Sequence, residues 1–189
     1  MTTGIPIRRA CVVLLLAVAL LVVPVSAGHA ASAPSAANPS PSPTTTAEKQ
    51  KLAKTRFVVN AGLAAGATYQ WIVKPARAGK FKKGASGRKL NFVKAGLAGA
   101  FAYNRLKAAS DNAKGDPTLS RMMAPVTAGI ASLKALPSKL RGGDNVDAAV
   151  SSYDDVVNKV KDAGKNAGAD VTDKVPSLSD LKSGANTTG

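Results

Sequence analysis

Thiol and imidazole chemistry rest on two residues of this chain. Cys11 is its one cysteine and His29 its one histidine, and both lie within the first 30 of 189 residues. Arg8 and Arg9, the apolar run from Ala10 to Val23, and the small residues after Pro24 form the charged, apolar and small-residue zones of a secretory signal. Residues 1–30 are therefore expected to be a signal peptide, cut after Ala30. The apolar run is too short for an ordinary membrane span. Cleavage would remove both Cys11 and His29. The mature chain would then have no disulfide, no Cys or His metal ligand and no His-activated nucleophile. No cofactor or metal site is expected, and no catalytic residue is assigned.

The other chemistry-bearing strings are weak. Ser179-Asp180-Leu181-Lys182 has the Ser-x-x-Lys spacing of some acyl-transfer enzymes, with Ser110-Asp111-Asn112 and Lys182-Ser183-Gly184 as companions. Their order is wrong, and Lys182 would have to serve two motifs. Asp154 and Asp155 are neighbours on a predicted helix and point about 100° apart, which makes no acid pair. Asp144 and Asp147 fit capping and the helix dipole, and the spacing around them fails that of a calcium loop.

Charge carries a stronger signal. From Lys49 to Lys107 there are fourteen basic residues and no Asp or Glu, whereas from Asp111 onward ten acids balance ten bases. The formal charge of +15 is thus concentrated in one half. Its densest stretch is 74–89, KPARAGKFKKGASGRK, with seven basic residues in sixteen. Lys74, Arg77, Lys80, Lys82, Lys83, Arg88 and Lys89, with the nearby aromatics Trp71 and Phe81, are the candidate site for an anionic partner. Such a surface attracts polyanions through long-range, salt-sensitive forces. Outside the cell the partners expected are anionic wall polymers or lipid headgroups. Nucleic acid would be bound without specificity.

Helices must position these groups. Residues 31–45, rich in Ser, Thr, Pro and Ala, read as a disordered spacer. Thr45 and Glu48 have the spacing of a capping box, opening a helix over about 46–73 that Pro75 should stop. A second is expected over 87–109. Asp116 and Pro117 open a third over 117–136, which Pro125 should kink or divide before Pro137 ends it. Asp144 caps a fourth over 145–163, whose stripe is Val146, Val150, Tyr153, Val157 and Val160, widened by Ala149 and Val156. No segment alternates as a strand would. The fold expected is all-α, an up-and-down four-helix bundle forming one domain over 46–163, followed by a frayed, flexible tail over 164–189 with a short helical turn at 177–183.

One phrase recurs in this plan. VNAGLA at 59–64 returns as VKAGLA at 93–98 and VTAGIA at 126–131, 34 and then 33 residues apart. Gly62 and Gly66, Gly96 and Gly99, and Gly129 place small residues mid-helix, where a neighbouring helix can come close. Ala124, Ala128 and Ser132 extend the pattern in the third copy. Residues 57–73 are uncharged, and two membrane helices would pair through such grooves. The run is short for a span, and Asn60, Thr68 and Gln70 interrupt it. Taken together, these features lead to a secreted, non-enzymatic helical protein of the envelope or extracellular space. Insertion of the small-residue helices into a bilayer is the alternative, and an enzyme without a recognisable dyad the third reading.

Overall fold

The computed structural model describes residues 45–186. The expected signal, its cleavage point after Ala30 and the spacer up to residue 44 lie outside them. Among the described residues all regular structure is helical. The order is α1 (Thr46–Thr68), a π-helical turn (Tyr69–Val73), α2 (Lys74–Arg77), α3 (Arg88–Ala113), α4 (Pro117–Ser132), a 3-10 turn (Leu133–Ala135), α5 (Leu136–Gly142), α6 (Val146–Asn166) and α7 (Leu178–Asn186).

The capping box forms as the spacing predicts. The Glu48 N–H donates to Thr45 Oγ1 at 3.2 Å, and the Thr45 N–H donates to Glu48 Oε2 at 3.0 Å. The helix does not stop before Pro75. It passes through the π turn and ends at Arg77, with Pro75 in the first turn of α2. Proline lacks an N–H and crowds the carbonyl four residues back. The wider turn shifts the ladder by one residue, so the Lys74 N–H reaches Tyr69 O instead.

Asp116 caps α4 as expected, its Oδ1 accepting the Leu119 N–H at 2.8 Å. Pro125 does not divide the helix, which continues to Ser132. Pro125 and Arg121 are both exposed, so water can satisfy the carbonyl that Pro125 leaves unpaired. The break falls at Leu133–Ala135, and Pro137 starts α5 instead of ending the third helix. The cap of α6 is Asn145, in a left-handed conformation with no side-chain bond, and not Asp144. The α6 stripe is as read: Ala149, Tyr153, Val156, Val157 and Val160 are buried, and Val146 and Val150 half-buried.

α1 lies antiparallel to α3. Trp71 is beside Lys94, and Arg105 donates to Asn60 Oδ1 at the other end of the pair. Many of the residues that both helices bury are alanines, Ala61, Ala64, Ala65 and Ala67 on α1 and Ala95, Ala98, Ala102 and Ala109 on α3. Both helices have other neighbours, α6 for α1 and α4, α5 and α7 for α3. That explains why neither shows a one-sided apolar stripe: a helix covered on several faces needs small or apolar residues on all of them. Larger side chains fill the rest of the core, including Phe57, Phe101, Leu106, Leu119, Met123, Leu140 and Tyr153.

The chain after residue 163 departs most from expectation. It is not a frayed tail. α6 runs to Asn166, and residues 171–176 then cross α1 with their backbone seated on Gly62 and Gly66. The Lys174 N–H donates to Gly62 O at 2.8 Å, and Asp173 pairs with Lys161 at 2.8 Å. A Cβ on Gly66 would collide with the Lys174 carbonyl and lie 2.7 Å from Val175 N. α7 then packs on α3, with Leu181 fully buried and Gly184 against the Phe101 ring.

The repeated phrase therefore serves three different neighbours. Gly62 and Gly66 meet extended backbone, not a helix. Gly96 meets the Arg141 side chain, and Gly99 meets Leu140 and the Tyr153 hydroxyl. Gly129 faces Val156 of α6, while Ala124, Ala128 and Ser132 face solvent. No helix among the described residues is long and apolar enough to cross a membrane.

Candidate anionic-partner interface

The segment between α2 and α3 is pinned by its aromatic residue. Phe81 is buried and stacks on Phe92, ring centroids 5.1 Å apart and planes 7° from parallel. The Arg88 guanidinium sits 4.5 Å from the centre of the Phe92 ring, and its Nε donates to Phe81 O at 2.8 Å. Glycines at positive φ, Gly79 at 67° and Gly87 at 68°, turn the chain at either end of the segment. Backbone bonds from Lys82 to Gly79 O and from Ala85 to Lys82 O close the turns between them.

This pinning sorts the predicted site residues. Phe81 and Arg88 hold the segment together, and Phe81 offers no ring for a ligand to stack on. Arg77 is exposed and pairs with Asp154 of α6 at 3.8 Å. Lys74, Lys80, Lys82, Lys83 and Lys89 are exposed, with no carboxylate within ion-pair distance among the described residues. Five lysines thus project from one fixed scaffold, none of them held by an ion pair among the described residues.

Trp71 is half-buried at the edge of this group. Its Nε1–H points to Pro176 O at 3.4 Å, so the C-terminal segment helps to orient the indole. The Lys94 ammonium lies 5.8 Å from the ring centre, within cation–π range. A cleft of about 260 Å³ opens here, lined by Trp71, Pro75 and Ala78, by Lys74, Lys80 and Lys94, and by the amides of Gln70 and Asn91. No acid lines it. Apolar surface beneath cations and neutral amides suits an anionic group carried on a partly apolar body.

Lys94, Gln70 and Asn91 escaped the sequence reading. The signal was there: once α1 and α3 run antiparallel across a short loop, positions 70–74 and 91–94 must face each other.

The remaining strings have structural work. Asp111 pairs with Lys114 at 2.7 Å. Asp180 accepts from the Ser177 hydroxyl at 2.7 Å and the Ser177 N–H at 2.9 Å, closing the start of α7. Those two bonds, the hydroxyl first, hold its carboxyl below the usual carboxylate range. Tyr153 donates its hydroxyl proton to Gly99 O at 2.9 Å, and burial pushes the phenol well above its ordinary value. Among the described residues no three Asp, Glu, His or Cys side chains gather as metal ligands.

No protein-family model matches the chain, and neither the curated proteins nor the solved structures give a match.

Proposed function

We propose that this is a secreted, non-enzymatic binding module of the envelope or extracellular space, which holds an anionic partner at its basic end. The observation that carries this reading is the set of exposed lysines, Lys74, Lys80, Lys82, Lys83 and Lys89, without carboxylate partners among the described residues. Packed proteins usually disperse such charge among acids. Here it is concentrated on a segment that Phe81, Phe92 and Arg88 keep in shape. A fixed array keeps its charges together without ordering a loop when the partner arrives.

We also read the long helical stretches 46–77, 88–113, 117–142 and 146–166 as an up-and-down bundle. Its support is the ring of neighbours, α1 beside α3 and α6, α3 beside α4 and α5, and α4 beside α6. Insertion of α1 into a bilayer is the weaker reading, because the groove at Gly62 and Gly66 is already filled by residues 172–175.

Fractionation of producing cells across a salt series tests the function. The expected result is retention on the envelope at low salt and release as ionic strength rises. The triple variant Lys82→Ala/Lys83→Ala/Lys89→Ala should appear in the medium at low salt with its fold intact. Equal release of variant and wild type at every salt concentration would sink the proposal.

A further inference from the structure

Leu90 and Val93 are unusual for their setting. They lie on the first turns of α3, 58% and 49% exposed, beside the lysine-rich segment. Leu97 and Phe101 continue the same face, because seven or eleven residues of helix return to within about 20° of the start. α7 covers the second half of this face: Gly184 seats against Phe101, and Asn104 Nδ2 donates to Gly184 O at 2.9 Å. Leu90 and Val93, on the first half, remain open. Beside Leu90 is a shallow recess whose wall includes Gly84, Ala85 and Gly87. Lys89 stands one helical turn before Val93, and Lys82 and Lys83 project from the preceding turn.

We propose that the anionic partner is a lipid surface, docked through Leu90 and Val93, with Lys89 and the lysines of the preceding segment, Lys82 and Lys83, supplying the charge. This rests on the basic end being the binding surface at all. The apolar pair decides between anionic partners. A hydrated polymer offers lysines all they need but gives Leu90 and Val93 no medium drier than water. The boundary between headgroups and acyl chains offers both, anionic groups at the level of the ammonium ions and an apolar layer just beneath. The seat is peripheral. α3 stays packed on α1 and α5, and only its exposed first turns enter the interface.

Co-sedimentation of the protein, as its producing cells process it, tests this. The probes are phosphatidylcholine vesicles, vesicles with about one-third phosphatidylglycerol, and inorganic polyphosphate immobilised on beads. Wild type should bind the anionic vesicles and the beads, and the zwitterionic vesicles weakly. Leu90→Ser/Val93→Ser should bind anionic vesicles about tenfold more weakly and polyphosphate unchanged. Leu90→Trp should tighten vesicle binding. Lys82→Ala/Lys83→Ala should lose about tenfold or more on both anionic probes. All of these positions are exposed, and matching thermal melts will show that the variants fold. If Leu90→Ser/Val93→Ser equals wild type on vesicles while the beads still bind, the partner is a hydrophilic polyanion and the lipid proposal falls alone. If wild type binds neither anionic probe at low salt, both readings fall.

Discussion

Gly62 and Gly66, in the middle of α1, are closed over by the backbone of residues 172–175, leaving no room for a methyl group. Further along the same helical run, from Lys74, the side chains meet solvent, and the nearest aromatic cleft is lined by lysines and amides. One region is set by close backbone packing, and the other by charge on a scaffold fixed by a few stacked rings. The two meet only at the edge, where Trp71 Nε1–H points to Pro176 O, and the exposed lysines lie away from that contact. Variants of the packed groove should therefore act first on stability and variants of the exposed lysines first on binding. Variants that test the first region rank by how little the neighbour can yield.

Gly66→Leu should have the largest effect. The obstacle is main chain, the Lys174 carbonyl and Val175 N, which cannot rotate away. Overpacking of this kind is expected to destabilise by about 3 kcal/mol, more than the gain of about 1 kcal/mol from replacing a helical glycine. Urea denaturation will measure it, and protection of α7 amides from hydrogen exchange should fall in parallel. Full stability with α7 protected would mean that the C-terminal segment does not lie in this groove.

Tyr153→Phe comes next. The hydroxyl lost is buried and donates to Gly99 O, so about 1 kcal/mol is expected, with no change in vesicle or polyphosphate binding. Gly129→Ala should be smaller still. Its new methyl would sit 3.3 Å from a Val156 methyl, a contact that small side-chain shifts can relieve. Crowding and improved helix propensity then oppose each other, and a net change within about 0.5 kcal/mol is expected. Thermal melts of Gly66→Ala and Gly129→Ala side by side would sharpen the contrast. Equal losses in both would show that the repeated phrase has one common environment after all.

How much of this could be read from the chain follows from the range of each interaction. The Thr45–Glu48 box, the Asp116 cap and the α6 stripe are legible because partners stand three or four residues apart. The Gly62-x-x-x-Gly66 spacing correctly announces a close approach, but it is silent on whether helix or extended chain arrives. The segment that does arrive begins more than 100 residues later, and its own composition reads as a loose end. Phe81 misleads for a related reason: an aromatic among lysines looks like a stacking surface until Phe92, across the turn, takes its face. Pro75 is read too strictly as a stop, and Pro125 does not divide its helix. A π turn accommodates one and solvent the other. The basic stretch itself is legible because charge does not depend on the fold, whereas its division into pinning and free residues does.

The smallest expected effect concerns the start of α7. Asp180 is fully exposed, and its carboxyl is held below the usual range by the Ser177 hydroxyl, then the Ser177 N–H, with a lesser contribution from Arg105 across the cleft of Leu63, Phe101, Ser183 and Gly184. A carboxylate whose folded value is depressed adds stability above its unfolded value, about 3.9 for Asp, and that stability is lost as pH falls through the folded value. Fraying of α7 should therefore begin only below the ordinary carboxylate range, while Tyr153 and the α1–α3 interface stay protected. The Leu181 methyl resonances, followed by NMR from about pH 5 to about pH 2, will report it. In Asp180→Asn the acid step should disappear, and α7 should be slightly looser at neutral pH because the amide is a poorer acceptor for the Ser177 donors. An unchanged acid transition in Asp180→Asn would remove Asp180 as its cause.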